Sequence, residues 1–373
     1  MSVWKANLAF ESQLPWYGLV GAAELLVTKT DSALYYKHLN LGAPTKTGTD
    51  GRELFYTAQG YNPACWNASG TSITSGTTCT GFRSKAQSNS AFNNVLQATR
   101  TSGGEGQALT LSLARPAQAG WGWSAAYTRT NATEVSPLTS SVSNSNFNAR
   151  SIFNPNEEVA ANSATLIRDR ISASATWSKA FIGQYKTTAG LFYEGRKGHP
   201  YSWTFRNDLN GDGVSGNDLM YIPTAPGSAE VVFLGDTATA HPGEDKFWQA
   251  VQDNPDLNAA RGKLVKRNGS SSPFVNNFDL RLSQELPGLT AGHKGVFILD
   301  VLNLGKLLNK RWGRIYEVPF QSAGGASRSF VNYAGLDANG KYIYNVSDLP
   351  DLTTRQVKGE SQWAVQVTLR YEF

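Results

Sequence analysis

The stretch WAVQVTLRYEF (residues 363–373) ends the sequence with a strict alternation of side-chain types. The odd positions are apolar or aromatic throughout: Trp363, Val365, Val367, Leu369, Tyr371 and Phe373. The even positions are mostly polar: Ala364, Gln366, Thr368, Arg370 and Glu372. Because successive side chains of a β-strand point to opposite faces, this pattern predicts a strand with one apolar face and one polar face.

The composition is that of a strand-rich protein with few charges. Of the 373 residues, 40% are hydrophobic, 11% are aromatic and only 17% are charged, against about 25% charged in ordinary soluble domains. The net charge of +5 is spread along the chain, with no run of five or more Lys or Arg residues, so nucleic-acid binding is not predicted. No apolar run reaches 18 residues, so no transmembrane helix is predicted.

The same alternation recurs along the chain and predicts about nine strands in an all-β fold. The clearest segments are 107–114, 121–130, 170–178, 185–194, 278–285 and 363–373, and weaker ones are 3–13, 17–29 and 295–304. A soluble β-sandwich has the same local period, but its strands usually run about five or six residues. Several of these segments run about ten residues, the length that a tilted strand needs to cross a bilayer.

The connections between the predicted strands alternate between short and long. The short ones lie near 14–16, 115–120, 179–184 and 286–294, and the long ones near 30–106, 131–165, 196–276 and 305–360. Outer-membrane barrels have short periplasmic turns and long extracellular loops. Aromatic residues flank the short connections, as in the interfacial girdle of such barrels: Trp16, Tyr17, Trp121, Trp123, Trp177, Phe181 and Tyr185. These features favour a transmembrane antiparallel β-barrel over a sandwich.

The strand count predicts that residues 1–373 form one partial barrel domain. If strand 363–373 runs toward the periplasm, the alternation of short and long connections means that strand 3–13 also runs toward the periplasm. The number of predicted strands is then odd. Single-chain bacterial barrels have even numbers, and an unpaired edge in lipid is costly. The N-terminal segment MSVWKANLAFESQL resembles no signal peptide and begins within an alternating pattern. We therefore expect further strands upstream, with lipid around the barrel wall.

Four segments together resemble the TonB-dependent outer-membrane receptors, specifically their Oar-like subgroup. They are LFYEGRKGHPYSWTF (191–205), RNDLNGDGVSGNDLMYIP (206–223), DVLNLGKLLNKRWG (300–313) and VTLRYEF (367–373). The resemblance covers most of 150–373, and residues 1–150 match mainly in strand pattern. It implies a 22-stranded barrel in the outer membrane of a Gram-negative bacterium, with an N-terminal plug, a TonB box and energised import of a scarce ligand. We identify neither plug nor TonB box, so the chain is expected to supply the C-terminal strands and extracellular loops, with TonB acting through the missing part.

The segment DLNGDGVSGND (208–218) is a candidate calcium site. Asp208, Asn210 and Asp212 have the spacing of the first three ligands of a calcium loop, with Gly213 at the sharp turn. An EF-hand carries its bidentate acid at the twelfth position, where this chain has Leu219. Asn217 and Asp218 are candidates to complete an oxygen cage of another shape. The alternative is a loop of Asn-Gly and Asp-Gly turns without an ion.

The GxGxxG pattern of Gly211, Gly213 and Gly216 is not interpreted as a dinucleotide site. No βαβ unit surrounds it, and the carboxylate of Asp212 would repel a pyrophosphate.

Cys65 and Cys79 lie in a Gly/Ser/Thr-rich stretch with no pattern of zinc ligands. They are expected to form a disulfide in an oxidising compartment, and two free thiols are the alternative.

No catalytic motif is found, and the chain is expected not to be an enzyme. The histidines lie in loops or turns, without an HExxH or GxSxG pattern. One set of charged strand residues is expected to face the barrel lumen: Arg170, Lys186, Glu194, Asp279, Arg281, Arg370 and Glu372. Helical material is expected within 247–265.

Two alternatives to the receptor stay open: a complete smaller porin-like channel, and a soluble secreted carbohydrate-binding β protein. The sequence does not identify the ligand.

Overall fold

The computed structural model describes residues 1–74, 76–290, 292–318 and 326–373. The chain is all-β, with 46% of residues in strands and 9% in helices. Residues 319–325, inside the predicted connection 305–360, lie outside the described residues, as do 75 and 291.

Nine long strands form one antiparallel sheet in which each strand pairs with its neighbours in sequence. They are β1 (Ser2–Gln13), β2 (Val20–His38), β3 (Glu105–Gln118), β4 (Trp121–Glu134), β5 (Asp169–Ile182), β6 (Tyr185–Arg196), β7 (Val275–Pro287), β8 (Lys294–Leu302) and β9 (Ala364–Glu372). Within the described residues β1 and β9 pair with one strand each and not with each other, so this sheet is open. The prediction of an all-β chain with about nine long strands is confirmed.

The strand bounds differ most at β2, predicted at 17–29 and observed over Val20–His38. Its first part pairs with β1 and β3, whereas residues from Ala33 to His38 pair with an additional short strand, Leu96–Thr101. That short strand lies inside the predicted connection 30–106. Because its partner is about seventy residues away in sequence and its own alternation is weak, the local pattern did not reveal it.

The strand register gives the sheet one apolar and one polar face. Rows of apolar residues cross neighbouring strands, for example Leu8, Leu25 and Leu109, or Leu280, Val301 and Val365. Most of the apolar face is open to its surroundings, with Leu8 73% and Leu369 78% exposed. The sheet's large apolar side chains therefore do not form a core of their own within the described chain.

Hydroxyl pairs and ion pairs join neighbouring strands on the polar face. Thr110 contacts Thr128 at 2.9 Å, and Ser124 contacts Ser174 at 2.8 Å. Most of the charged residues expected to share one face pair here: Arg170 with Glu194 at 2.7 Å and Arg281 with Asp300 at 3.3 Å between strands, and Arg370 with Glu372 within β9. In the same set, the Lys186 backbone N–H donates to Glu285, and Asp279 accepts from the backbone N–H of Asn303.

Because successive strands are antiparallel, the connections alternate between the two ends of the sheet, and the connections at one end are much shorter than those at the other. One end has the short connections 14–19, 119–120, 183–184 and 288–293. At the tight turn before β4, Gly120 has a φ of 86° and its backbone passes so close to Ser178 that a Cβ would lie 2.4 Å from the carbonyl oxygen. Exposed aromatic residues gather at this end, including Trp16, Tyr17 and the cross-strand pair Trp121 and Trp177.

The other end of the sheet has the four long connections 39–104, 135–168, 197–274 and 303–363, which we call the loop cap. Its helices are α1 (Ala58–Tyr61), α2 (Ser143–Asn148), α3 (Pro242–Asp253), α4 (Pro255–Asn258) and α5 (Leu304–Leu308), with a 3₁₀ turn at Pro63–Cys65. Its short strands are Lys46–Thr47, Glu53–Leu54, Leu96–Thr101, Ala161–Asn162, Pro200–Trp203, Tyr221–Ile222, Val232–Phe233, Lys263–Leu264, Ser270–Ser271, Tyr316–Glu317, Ser327–Arg328, Val331–Leu336, Tyr342–Val346 and Thr353–Thr354.

The main hydrophobic core of the described chain lies in the loop cap. Trp203 packs edge-to-face on Phe330, and Tyr56 stacks on Tyr333 with ring centroids 6.2 Å apart. The helical material expected within 247–265 is present in α3 and α4, and Phe247 and Val251 are fully buried. The hairpin Val331–Leu336/Tyr342–Val346 belongs to this core and not to the nine-stranded sheet.

Among the described residues, no helix has the length and apolar character required to cross a membrane.

Candidate cation site in the loop cap

The segment 208–218 forms a loop whose two ends are held together in the middle of the cap. The backbone N–H of Phe205 donates to the carbonyl of Asp218, and Thr204 forms a bridge to Leu219. Asp218 also forms an isolated parallel β-bridge with Ile152, which lies in the connection 135–168. All five residues predicted from the sequence therefore lie in one anchored loop.

Asx turns determine the path of the loop, because its side-chain oxygens accept hydrogen bonds from backbone groups a few residues ahead. Asp208 accepts from the N–H groups of Gly211 at 2.6 Å and Gly213 at 2.8 Å. Asn210 accepts from Asp212 N–H at 2.8 Å, and Asp212 Oδ1 accepts from Val214 N–H at 2.8 Å. Gly213 has a φ of 88°, as expected for a sharp turn at that position.

Asp218 closes the loop and forms an ion pair with Arg52 of the first long connection. Its Oδ2 accepts from the backbone N–H of Leu209 at 2.8 Å, and its Oδ1 lies 3.1 Å from Arg52 Nη1. Arg52 is fully buried and also lies 3.3 Å from Asp50. Burial opposes the charge of Arg52, but Asp50 and Asp218 outweigh it, so the guanidinium pKa is raised.

The five candidate residues are all buried, with exposures between 0% and 9%. Burial, and then the neighbouring Asp218 charge, raise the pKa of Asp212 to about 7. Burial and the charges of Asp212 and Asp218 raise the pKa of Asp208 well above its ordinary value. Within the described chain Asp212 Oδ2 has no hydrogen-bond partner, nor do Asn217 Oδ1, Asn217 Nδ2 and Asn210 Nδ2.

Three residues beside the loop were not found from the sequence. Besides Arg52, Tyr56 donates its hydroxyl to the carbonyl oxygen of Asp208 at 2.7 Å, and Lys85 lies close to Asp208 and Asp212. Burial lowers the pKa of Lys85, and its ammonium donates to Asn94 at 2.8 Å. These residues lie in a different connection, more than a hundred residues from the loop, so no local spacing pointed to them.

A second group of potential metal ligands, Asp236, His241 and Glu244, lies at the start of α3. Asp236 accepts hydrogen bonds from the backbone N–H groups of Gly243 at 2.7 Å and Glu244 at 3.2 Å. These bonds satisfy free donors of the first helical turn, and the negative charge is favourable beside the helix N-terminus. Helix capping therefore accounts for the position of Asp236.

A cavity of about 580 Å³ lies elsewhere in the cap and contains both charged and apolar side chains. Its lining includes Glu134, Arg150, His199, Arg267, Glu317 and Arg355. Arg150 and Arg267 are buried, and their guanidinium hydrogen bonds go to backbone carbonyls, for example from Arg267 to Glu134 and Val159 at 2.7 Å. Burial, and then the Arg267 charge, lower the pKa of Arg150 to about 10. The two guanidiniums suit a ligand with an anionic group.

The first connection also contains a disulfide between Cys65 and Cys79, with the two Cα atoms 5.5 Å apart. It closes a segment that begins at the end of the 3₁₀ turn Pro63–Cys65, and Trp66 in this segment packs edge-to-face on Phe82.

No protein-family model matches this chain, and no curated protein or solved structure is significantly similar to it.

Proposed function

We propose that this chain supplies C-terminal strands and extracellular loops of a TonB-dependent outer-membrane receptor, in a Gram-negative bacterium, that takes up a ligand. The observation that carries the proposal is the nine-stranded meander with an exposed apolar face and all its long connections at one end. In this arrangement β9 and its neighbours form part of a barrel wall, and the loop cap lies on the outer surface.

The apolar face is suited to contact with lipid. Exposed side chains such as Leu8, Leu111 and Leu369 would be hydrated in water, whereas hydrocarbon removes that unfavourable hydration. The strands have the required length, because about nine to eleven tilted residues cross a bilayer and most of these strands are longer. Exposed aromatics at the short connections fit the interfacial girdle on the periplasmic side.

The polar face is suited to a lumen filled by water or by a plug. Cross-strand ion pairs such as Arg281 with Asp300 and Lys294 with Glu372 remain partly exposed there. Charged groups are compatible with a barrel interior but costly on its lipid face. A plug packed against this face would be held by the same charged side chains.

The two sheet edges support a barrel with additional strands. An unpaired edge in hydrocarbon costs several kcal/mol for each unsatisfied backbone group. In the proposal β1 and β9 pair with upstream strands, which close a 22-stranded wall of the kind found in outer-membrane transporters. TonB acts through the plug, and the cavity with Arg150 and Arg267 receives an anionic part of the ligand.

Expression of the complete gene, including any upstream coding region, tests the proposal. We expect membrane fractions to hold the protein, detergent to be required for extraction, and gel mobility to change on boiling, as for a folded barrel. External protease should cut within the loop cap on intact cells. Full solubility without detergent would favour the secreted carbohydrate-binding alternative, and ion conductance by the chain alone in planar bilayers would favour the porin-like alternative.

A further inference from the structure

The geometry points to a structural Ca²⁺ site in the loop 208–218, with ligands from Asp208, Asn210, Asp212 and Asn217. Asp218 acts there as a positioning residue, because its carboxylate joins the loop backbone to Arg52. This inference does not depend on the proposed membrane function, because it rests only on atoms inside the loop cap.

The first supporting observation is the set of buried oxygens that the fold leaves without partners. Asp212 Oδ2 and Asn217 Oδ1 have no hydrogen-bond donor in the described chain, and these residues are 1% and 0% exposed. Such groups lose hydration on burial, so native proteins rarely leave them unsatisfied unless a water or an ion takes the place of a donor. The Asn217 and Asn210 side chains lie close enough to the Asp212 carboxylate to interact with it, so the three side chains are neighbours inside the loop.

The second observation is the excess of negative charge around that space. Asp208, Asp212 and Asp218 are buried within eleven consecutive residues, and buried Asp50 lies on the far side of Arg52. Arg52 is shared between Asp50 and Asp218, and Lys85 donates its hydrogen bond to Asn94. Four carboxyl groups therefore lie close together with only Arg52, among the described side chains, paired to them directly, and a divalent cation would favour their charged form, which burial otherwise opposes.

The chemistry of the candidate ligands selects calcium among the common divalent ions. The candidates are carboxylate and amide oxygens, without the thiolate or imidazole ligands typical of zinc and copper sites. Asp208, Asn210 and Asp212 stand at positions one, three and five of a calcium loop, with Gly213 at position six. Ca²⁺ accepts six to eight oxygens in a flexible geometry, whereas Mg²⁺ requires a near-ideal octahedron and keeps several waters.

The expected role of the ion is to hold three long connections of the cap together. The loop contacts Tyr56 and Arg52 of the first connection and Ile152 of the second, and it belongs to the third. Without the ion, carboxylate repulsion would favour opening of the loop. The backbone near 206–223 should therefore become accessible to protease when the metal is removed.

Terbium luminescence on the full chain, solubilised in detergent and stripped with a chelator, measures binding directly. Tb³⁺ has the same oxygen preference as Ca²⁺, and the Tyr56 ring next to Asp208 can sensitise its emission. We expect saturable emission that Ca²⁺ displaces with a Kd at or below about 1 mM, the upper end for extracellular calcium modules. No sensitised emission, or emission that Ca²⁺ does not displace, would overturn the assignment.

Asp212→Asn is the decisive variant, because it keeps the shape and the Val214 hydrogen bond and removes one ligand charge. Affinity should fall about 100-fold or more, since ligand charge tunes the Kd of oxygen sites over decades. Asp236→Asn is the matched control and should leave affinity unchanged. Loss of binding in Asp236→Asn but not in Asp212→Asn would overturn the proposal and place the ion at the start of α3.

Limited proteolysis of the unmodified chain keeps the proposal testable if Asp212→Asn does not fold. Added Ca²⁺ should protect 206–223 from cleavage, and chelation should remove that protection at constant ionic strength. Equal cleavage rates of this segment with and without chelator would contradict a bound structural ion.

Discussion

Arg52 compensates the negative charge of two buried carboxylates. It is fully buried, contacts Asp50 and Asp218, and lies over the Phe153 ring at 5.0 Å. A buried ion pair contributes little net stability when intact, but removing one partner leaves the other charge uncompensated. The contribution of Arg52 to the stability of the cap is therefore best measured by replacing Arg52 with an uncharged residue.

We predict that Arg52→Met destabilises the loop cap by about 3–5 kcal/mol, the usual cost of breaking a buried pair. Tryptophan fluorescence during urea unfolding measures the change, because Trp203 and Trp248 are buried in the cap core. Arg100→Met is the control, since Arg100 is mostly exposed and 3.7 Å from Asp31. Equal stability of the two variants would contradict the structural role given to Arg52.

His38 gives the cap a pH dependence. It is buried at the end of β2, beyond the part that pairs with β1, and its Nε2 lies 3.0 Å from Asn94. Burial lowers its pKa, although the bond to Asn94 acts in the opposite direction, and Lys85 lowers it further. The unfolded chain therefore binds a proton at a higher pH than the folded chain, and acidification favours unfolding.

We predict that the contribution of His38 to cap stability is fully present above the ordinary histidine pKa and is lost as the pH drops from about 7 to about 5, whereas the raised pKa values of Asp208 and Asp212 act in the opposite direction. His199 contributes in the same direction as His38, because burial lowers its pKa as well. His38→Asn should reduce the slope of the melting temperature against pH. A slope unchanged by His38→Asn would assign the effect to other groups.

The two faces of β9 offer a direct comparison within one element. Leu369 is 78% exposed on the apolar face, and its neighbour Thr368 points to the polar face. In the proposed membrane setting the first faces hydrocarbon and the second faces the lumen. An arginine introduced at each position therefore places the same charge on one face or on the other.

We predict that Leu369→Arg destabilises the proposed barrel in lipid by about 2–4 kcal/mol if its position is near the bilayer centre, whereas Thr368→Arg has a much smaller effect. Reversible unfolding of the complete protein in lipid vesicles measures the effect of each substitution. The folded fraction is monitored by the change in gel mobility on boiling. Equal effects would show that the apolar face does not contact lipid. A larger effect of Thr368→Arg would reverse the assignment of the two faces.

Strands with clear alternation were predictable from the sequence, and short strands in the cap were not. The period of two in 170–178 or 363–373 reflects local geometry, so it identifies a strand without knowledge of its partner. The short strands Tyr221–Ile222 and Lys263–Leu264 have two residues each and exist only because they pair across about forty residues. Nothing in their own sequence distinguishes them from the neighbouring turns.

At the scale of the molecule, the turn geometry of the loop 208–218 was predictable from the sequence, but the surroundings of the loop were not. Asp208, Asn210 and Asp212 follow from spacing alone, because the Asx turns connect residues two to five positions apart. The ion pair of Arg52 with Asp218 spans 166 residues, and the core contact of Tyr56 with Tyr333 spans more. Such contacts depend on the whole cap, which alternation does not encode.

The shared core of the loop cap has a consequence for how this protein can diverge. Surface loops usually accept insertions and substitutions independently of one another. Here Tyr333 of the last connection stacks on Tyr56 of the first, and Ile152 of the second bridges Asp218 of the third. A change of size at one of these positions would require a matching change in another connection. Sequence drift in the four loops should therefore be coupled, so that the cap is more readily changed by exchange as a unit than by altering one loop at a time.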